Sequence, residues 1–497
     1  MSGGEPAGVV FPMSSGGRRS TSALGAGVVA DALRQVDPAG AGRAEHEANW
    51  RTGYLAHFRR LVEAGLSSKD AAVSVAREGL ESLHRRMHVV AAGGAETGLG
   101  ELLSAPAQRS VGTVTVPGGG RAETEFCLPY HGERLGGGAL SRRLDAWVAD
   151  GIIEPSCADA VAAVAAHPEW LPLPGRTAVV LGAGAEVGPL TTLLNWGARV
   201  VGVDLPHAPV WERVLDAARR SGGTLLVPVA DEAPGLSGAS DEVVAQRAGL
   251  DLTGEVPTVA DWLATVDGPL VLGNYVYADG AANVRVSAAV DALTMRLQAE
   301  RDDLALAFLA TPTDVFAVPA DAVAQSVHAY ATRPRAAKLA SRPLRLLSGG
   351  RLLRRAYPPG ADPGINDSLV AQQGPNYALA KRMQRWRATL ARDGGATVSM
   401  NVAPPTRTRS VMQNRVLAAA YAGAHRFGVE VFEPATTRVL MAALLVHDLY
   451  TGGGPARPHP WLDEAHAAAH GGLWRIAYLP RSALALGALL GYRSAGR

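Results

Sequence analysis

The strongest constraint on the fold is the stretch RTAVVLGAGAEVGPLTTLLNWGARVVGVDLP, residues 176–206. An uninterrupted apolar run is followed by a glycine-rich turn, a helix-forming segment and a second apolar run. Strands with both faces buried have such continuous apolar runs, and parallel strands need a crossover that is usually helical. The stretch therefore predicts a strand–helix–strand unit of a parallel sheet.

Three further apolar runs repeat this pattern downstream: GTLLVPVAD, GPLVLGNYVYADG and LALAFLATPTD. A helix-forming segment, residues 284–300, separates the last two. Apolar strands that alternate with helices are typical of a sheet covered on both faces. We therefore predict the α/β class, with a doubly wound, parallel, Rossmann-like sheet and an added helical N-terminal region.

The chain of 497 residues is too long for one simple domain, and its composition changes along its length. The first part is rich in Gly, Ser and Ala, which predicts flexibility, and the next has apolar residues at helical spacing. The predicted divisions are a flexible leader (1–43), a helical region (44–172), a dinucleotide-binding and catalytic domain (173–450) with an insertion at about 319–370, and a tail with an apolar segment (451–497).

Gly182, Gly184 and Gly188 occupy the turn between the first apolar run and its helix. Glycines let the backbone turn tightly and let a pyrophosphate approach the N–H groups at the helix start. Asp204 ends the next strand, where a carboxylate accepts hydrogen bonds from an adenosine ribose and repels a 2′-phosphate. The turn therefore predicts a nucleotide cofactor, with NAD favoured over NADP.

Two alternatives fit the same turn. Methyltransferases that bind S-adenosylmethionine also have a glycine turn followed by an acid on the next strand. A Rossmann-like domain can also keep the turn as a binding module without catalytic activity. The sequence up to Asp204 does not separate these alternatives.

The segment GPNYALAKRMQRWRATLARD, residues 374–393, contains Lys381, one of only three lysines in the chain. Tyr377 lies four residues earlier, so the two side chains share one face of a helix. A phenol has a pKa of about 10, and a neighbouring cation favours the phenolate and lowers that pKa. The pair predicts a tyrosine that exchanges a proton with a substrate while hydride moves to or from a nicotinamide.

Tyr377-x-x-x-Lys381, followed about twenty residues later by VSMNVAPPTRTRS, resembles the short-chain dehydrogenase/reductase family. The order of the upstream motifs is also similar, over residues 174–415. The resemblance implies that Tyr377 is the catalytic acid/base, and that Lys381 holds the nicotinamide ribose and lowers the pKa of the tyrosine. It also implies an adenine contact at Asp231 and a cofactor contact at Asn274.

The catalytic serine of this family, expected at the end of the fifth strand, is missing from the sequence. The segment FLATPTD offers Thr311 or Thr313 in its place, and Ser368 lies nine residues before Tyr377. A threonine hydroxyl polarises a carbonyl as a serine does, so Thr311 and Thr313 are predicted catalytic residues. Glu186 stands where the family has the middle glycine of its turn.

A net charge of +2 argues against a general nucleic-acid-binding surface. Cys127 and Cys157 form no metal-binding pattern, and the chain has neither a secretory signal nor an apolar run of about 18 residues. We therefore predict a cytoplasmic protein without a metal site and without a nucleic-acid partner.

The segment from Val323 to Ala361 has no acidic residue but many arginines. It predicts an inserted surface segment, a lid over the site, or a basic contact that places the protein peripherally on an anionic membrane. Together with the apolar tail, this segment favours a small-molecule substrate of lipid-like character. An oligomer is also compatible with the sequence.

These motifs together predict an NAD(P)-dependent oxidoreductase of the short-chain dehydrogenase/reductase type. Hydride moves to or from a carbonyl, an alcohol or an activated double bond, with Tyr377 as acid/base. The alternatives are methyl transfer from S-adenosylmethionine and an inactive binding or membrane-associated module.

Overall fold

The computed structural model describes residues 7–13, 16–91, 93–230, 238–453 and 457–492. Its strands are β1 (Gly8–Val10), β2 (His88–Val90), β3 (Glu96–Gly98), β4 (Val111–Pro117), β5 (Leu128–Tyr130), β6 (Glu133–Leu135), β7 (Thr177–Leu181), β8 (Arg199–Val203), β9 (Thr224–Ala230), β10 (Leu270–Asn274), β11 (Ala305–Ala310), β12 (Val315–Val318), β13 (Gly364–Asp367) and β14 (Val398–Val402). Its helices are α1 (Thr21–Arg34), α2 (Pro38–Glu45), α3 (Trp50–Gly65), α4 (Lys69–Arg86), α5 (Gly137–Ala149), α6 (Pro155–Ala166), α7 (Leu190–Asn195), α8 (Ala208–Arg220), α9 (Asp241–Arg247), α10 (Val256–Ala264), α11 (Ala281–Glu300), α12 (Ala320–Ala331), α13 (Arg335–Leu347), α14 (Gly374–Asp393), α15 (Arg409–Gln413), α16 (Arg415–Gly423), α17 (Pro434–Tyr450), α18 (Pro460–Ala465) and α19 (Pro480–Gly491).

A seven-stranded sheet forms the centre of the fold, in the order β14-β11-β10-β7-β8-β9-β4. Neighbouring strands from β14 to β9 are parallel, and β4 is antiparallel to β9. Counted along the chain, the parallel strands have the order 3-2-1-4-5-6, which is typical of dinucleotide-binding folds. The predicted α/β class with a doubly wound parallel sheet is confirmed.

Both faces of the sheet are buried under apolar layers, because alternate residues of a strand point to opposite faces. In β7, Val179 and Leu181 face one layer, whereas Ala178 and Val180 face the other. Helices α1, α3, α4, α10, α11 and α14 contribute to the first layer, and α5, α6, α8 and α17 to the second. This burial on two sides explains the continuous apolar runs in the sequence.

The strand order reverses between β7 and β10, the two central strands. In open α/β sheets, ligands bind in the crevice outside the carboxyl ends of the strands at such a point. Gly182 follows β7 directly, and Asn274 is the last residue of β10. The glycine turn therefore lies where the fold provides a crevice.

The described part of the predicted flexible leader, residues 1–43, contains the packed helix α1 and most of α2. Ser20 caps α1, and its Oγ accepts a hydrogen bond from the Ala23 N–H at 3.2 Å. Small residues here permit close packing: a Cβ at Gly25 would lie 2.6 Å from Trp50 Nε1. Gly25 therefore permits close packing of α1 against Trp50 of α3.

Two other predicted segments differ in detail from the structure. The helical region 44–172 also supplies β4, which extends the central sheet beside β9. The insertion at about 319–370 contains α12 and α13 and ends with β13, which pairs antiparallel with β12. Within the described residues, no helix combines the length and apolar character needed to cross a membrane.

Helix α14, which carries Tyr377 and Lys381, packs under the N-terminal helices. Gly79 of α4 leaves room for the Trp386 ring, which a Cβ at that position would overlap. The Arg387 guanidinium binds both carboxylate oxygens of Asp291 at 2.7 and 2.8 Å, and His84 Nε2 lies 2.8 Å from the same carboxylate. The contacts of Asp291 with Arg387 and His84 therefore connect helices α4, α11 and α14.

Candidate active site at the carboxyl edge of the sheet

Four of the predicted site residues follow or end adjacent parallel strands. Gly182 follows β7, Asp204 follows β8, Asn274 ends β10, and Thr311 follows β11. The carboxyl ends of parallel strands meet at one edge of a sheet, so the fold brings these residues to the same crevice. Asp231, the predicted adenine contact, lies outside the described residues.

Gly182 is required by both its conformation and its surroundings. Its φ is +87°, in the region that residues with a side chain rarely adopt. Its N–H donates to the Val203 carbonyl at 2.8 Å, and a Cβ would lie 2.9 Å from the Tyr275 carbonyl oxygen. The close approach of the turns that follow β7 and β10 depends on this glycine.

Asp204 closes the glycine turn. Its Oδ2 accepts a hydrogen bond from the Gly184 N–H at 2.8 Å, and its Oδ1 accepts one from the Leu205 N–H at 2.8 Å. The side chain is partly exposed, and each carboxylate oxygen keeps room for another donor. A hydroxyl group that approached the turn would find an acceptor at Asp204.

The helix that follows the glycine turn is short. Gly188 still lies within the turn, and α7 begins only at Leu190 and has six residues. The Glu186 carboxylate is directed to the start of α15, where its Oε2 accepts a hydrogen bond from the Arg409 N–H at 2.9 Å. Its negative charge is therefore engaged by the N-terminus of that helix.

Helix α14 brings Tyr377 to the end of β11. The phenol interacts with the side chain of Thr311, whose Oγ1 lies 2.9 Å from Thr313 Oγ1. Both threonines are buried. Thr311 thus provides a hydroxyl next to the tyrosine, and Thr313 a second hydroxyl behind it.

Ser368, the other hydroxyl near Tyr377 in sequence, is engaged elsewhere. Its Oγ donates to Asn366 Oδ1 at 2.5 Å, and its N–H donates to the Asp314 carbonyl at 3.1 Å. The hydroxyl that accompanies Tyr377 therefore comes from Thr311.

Lys381 is held by the helix and the sheet together. Its Nζ donates to the Leu309 carbonyl at 3.3 Å and to Gln384 Oε1 at 3.0 Å. Gln384 Nε2 in turn donates to Asn274 Oδ1 at 3.3 Å, and both amide side chains are buried. Gln384 was not predicted from the sequence. The signal that could have identified it is an amide side chain three residues after the lysine, on the same face of the helix.

Burial dominates the electrostatics of the tyrosine–lysine pair. Burial raises the pKa of Tyr377 to about 12, with smaller contributions from Tyr277 and Asp314, and Thr311 acts in the opposite direction. Burial also lowers the pKa of Lys381 to about 8. Lys381 is not among the main influences on the pKa of Tyr377, and its ammonium donates to the Leu309 carbonyl and to Gln384.

A buried ion network fixes α14 beside the end of β11. Asp314 Oδ1 accepts from Arg382 Nη2 at 2.7 Å, and Oδ2 accepts from Arg385 Nη1 at 2.7 Å. The other side of the Arg385 guanidinium binds both oxygens of Glu464 at 2.6 Å. Because Asp314 is close in sequence to Thr311, this network sets the position of the threonine relative to Tyr377.

An apolar cavity opens beside Thr313. Thr313 and Tyr421 line it. Burial raises the pKa of Tyr421, and the nearby Tyr377 raises it further. Arg481 also lines the cavity, with its Nη2 2.8 Å from Asp367 Oδ2. The remaining lining side chains are mostly apolar, including Val411, Leu417, Ala420, Val429, Val431, Leu473, Ile476, Ala483 and Leu484.

No cluster of three or more His, Cys, Asp or Glu side chains suited to a metal ion occurs among the described residues. Near the C-terminus, His470 Nε2 lies 2.9 Å from a carboxylate oxygen of the buried Glu154. Burial lowers the pKa of His466, four residues earlier, to about 4.

Comparisons with known proteins add little to this geometry. No protein-family model and no curated protein matches the chain. Among solved structures, the chain is similar to the terminal R domain from the myxalamid PKS-NRPS biosynthetic pathway, at 15% sequence identity and a TM-score of 0.27. The similarity covers 61% of this chain and 68% of that one, and a likeness this distant carries no inference about function.

Proposed function

We propose that the chain is an NAD(P)-dependent oxidoreductase that reduces a carbonyl group, or oxidises the corresponding alcohol, of an apolar substrate. The observation that carries this proposal is a continuous path of contacts across the crevice. Gly182 packs against Tyr275, the residue after Asn274, and Asn274 is linked through Gln384 to Lys381. The cofactor-type turn and the tyrosine–lysine helix therefore belong to one site.

The side chains around the crevice fit a nicotinamide dinucleotide. Asp204 offers an acceptor for an adenosine ribose hydroxyl, and its negative charge disfavours a 2′-phosphate, so NAD is the expected form. Lys381 has three N–H donors, of which two are used within the protein. The third is available for the hydroxyls of the nicotinamide ribose. When bound, the nicotinamide supplies or accepts the hydride.

Tyr377 is the proposed proton donor. With a pKa raised to about 12, its phenol is almost fully protonated at neutral pH. A protonated phenol can give its proton to a carbonyl oxygen as that oxygen becomes an alkoxide. Thr311 contacts the phenol and can donate to the same oxygen, as the serine of the family does. Reduction is therefore the direction that the unliganded site favours.

The apolar cavity is the proposed substrate site. It begins at Thr313, which is 2.9 Å from Thr311, and Tyr421 connects its lining to Tyr377. A substrate whose carbonyl reached Tyr377 would place the rest of its chain among apolar side chains. Burying this apolar surface favours hydrophobic aldehydes or ketones over small polar ones.

A direct titration of the purified protein with NADH, NADPH and S-adenosylmethionine tests the proposal. We expect saturable binding of NADH, weaker binding of NADPH, and none of S-adenosylmethionine. Binding of S-adenosylmethionine alone would instead support the methyltransferase alternative. Binding of NADH without turnover of any member of a carbonyl series would support an inactive binding module.

Tyr377→Phe provides the second test. It should lower kcat for carbonyl reduction about 10²- to 10⁴-fold, the usual contribution of a general acid, and leave NADH affinity nearly unchanged. Tyr492→Phe, at a tyrosine that is 75% exposed, is the matched control and should have no effect. Full turnover by the Tyr377 variant would rule out the assigned role.

A further inference from the structure

Helix α13 exposes large apolar side chains that no other described part of the chain covers. Leu339, Leu346 and Leu347 are 65%, 86% and 87% exposed. The helix contacts the rest of the protein through Ser341, which is buried, and Leu344, which is partly buried. Adjacent exposed leucines of this kind mark a surface that binds something.

The same helix also exposes positive charge. Arg335, Lys338, Arg342 and Arg345 are all exposed, and none of them belongs to an ion pair in the described part of the chain. Arg345 Nη1 donates to the Tyr330 hydroxyl at 2.9 Å. No acidic residue occurs anywhere from position 323 to 361, so no nearby carboxylate of this segment offsets the charge.

A second exposed apolar group lies on the neighbouring helix. Leu344 of α13 and Leu486 of α19 pack against the same small apolar cluster, so both helices border that cluster. Near the end of α19, Leu489 is 71% exposed and Leu490 is 46% exposed, and Tyr492, which follows, is 75% exposed. Helix α19 also forms part of the wall of the apolar cavity.

We propose that α13 and the C-terminal end of α19, the α13/α19 surface, dock on an anionic phospholipid membrane. Leucines beside arginines and lysines on the solvent-facing side of a helix are typical of helices that lie in the membrane interface. The leucines enter the boundary of the acyl chains, and the basic side chains contact the phosphate groups. This docking is independent of any oxidoreductase activity.

Charge identifies the occupant of this surface. In a two-fold dimer, the same patch of each copy faces the other. Such a dimer through the α13/α19 surface would oppose two sets of the same basic side chains. Anionic lipid headgroups complement these charges. The surface therefore fits a membrane better than a second copy of the chain.

Flotation of the full-length protein with phospholipid vesicles tests this proposal. We expect binding to vesicles of phosphatidylcholine and phosphatidylserine, no binding to phosphatidylcholine alone, and release as the salt concentration rises. The double variant Lys338→Gln/Arg342→Gln should lower the partition constant roughly tenfold or more. Leu346→Ser/Leu347→Ser should lower it by a similar factor, because it removes the inserted side chains.

Val243→Ser/Arg247→Gln on α9 is the matched control, since Val243 is 44% exposed and Arg247 is also exposed. It should leave vesicle binding unchanged, and circular dichroism should show that every variant is folded. Absence of binding to anionic vesicles would overturn the proposal. So would equal binding by the α13 variants, or a concentration-dependent dimer in sedimentation velocity that the Leu346→Ser/Leu347→Ser variant abolishes.

Discussion

Asp314 is the residue whose substitution most directly tests how the site is positioned. Its side chain is buried and binds the Arg382 and Arg385 guanidinium groups, each at 2.7 Å. Asp314→Asn keeps the size of the side chain and removes its charge. Arg385 then retains Glu464 as a carboxylate partner, whereas Arg382 loses the carboxylate to which it donates in the described residues.

The size of the effect follows from this asymmetry. Removing one partner of a buried ion pair costs about 3–5 kcal/mol, because the remaining charge is buried without compensation. Burial already lowers the pKa of Arg382 to about 10, with Arg385 adding to the effect, so its environment disfavours an isolated positive charge. We therefore expect Asp314→Asn to lower the free energy of unfolding by about 3–5 kcal/mol.

Urea denaturation followed by circular dichroism measures this loss. Asp303→Asn, which breaks a pair between the exposed Asp303 and the half-buried Arg301, is the control and should change the free energy of unfolding by about 1 kcal/mol or less. The double variant Asp314→Asn/Arg382→Met should recover part of the loss, because no unpaired guanidinium remains. A double variant less stable than Asp314→Asn would refute this reasoning.

Acid titration of the same variants gives an independent check. Burial alone would raise the pKa of Asp314, but the charges of Arg382 and Arg385 outweigh it and hold the pKa below its usual value. A carboxylate with a depressed folded-state pKa contributes stability above its unfolded-state pKa of about 4, and this contribution is lost as the pH falls further. The difference in stability between the wild-type protein and Asp314→Asn should therefore shrink below about pH 4.

Thr311→Val removes the hydroxyl that contacts Tyr377 and keeps the shape of the side chain, so kcat for carbonyl reduction should fall about 10²-fold. Thr313→Val should cost about tenfold or less, and equal losses would contradict the assigned order of the two hydroxyls. Gly182→Ala places a Cβ 2.9 Å from a carbonyl oxygen at a positive φ, so stability should fall by about 1–3 kcal/mol and NADH binding, measured by titration calorimetry, should weaken. Gly42→Ala, at an open helical position, should be neutral or slightly stabilising.

The sequence predicts those parts of the fold that depend on local pattern. Strands β7 to β11 are continuous apolar runs because both of their faces are buried, and that property is visible without a structure. The spacing of Tyr377 and Lys381 likewise places them on one helix. The positions of Gly182, Asp204 and Asn274 at one edge then follow from the parallel arrangement of the strands.

Other features depend on partners that are distant in sequence. The three buried arginines of α14 have the local pattern of a solvated helix, and their carboxylate partners lie 68 to 96 positions away. Helix α1 has the small residues that are typical of a flexible segment. Its contact with Trp50 shows that Gly25 instead permits close packing. The direction of the Lys381 side chain is set by the Leu309 carbonyl and Gln384 and not by the helical spacing.

The two opposed pKa shifts at the site lead to a prediction for the pH dependence of reduction. Tyr377, with a pKa of about 12, stays protonated across the working range, whereas Lys381, with a pKa lowered to about 8, loses its charge within it. If the ammonium group holds the ribose, kcat/KM for carbonyl reduction should be constant below about pH 7. It should then fall about tenfold per pH unit well above pH 8, as the neutral amine replaces the cation.

The variant Lys381→Arg tests whether Lys381 causes this fall in kcat/KM, the alkaline limb of the pH profile. A guanidinium stays charged up to a pH of about 12, so the limb should disappear from the accessible range, although the larger side chain should lower kcat. Lys338→Arg, at an exposed lysine of α13, should leave the profile unchanged. An alkaline limb that stays near pH 8 in Lys381→Arg would mean that another group controls it. In that case the contact of Lys381 with Gln384 would serve the structure of α14 and not the hold on the cofactor.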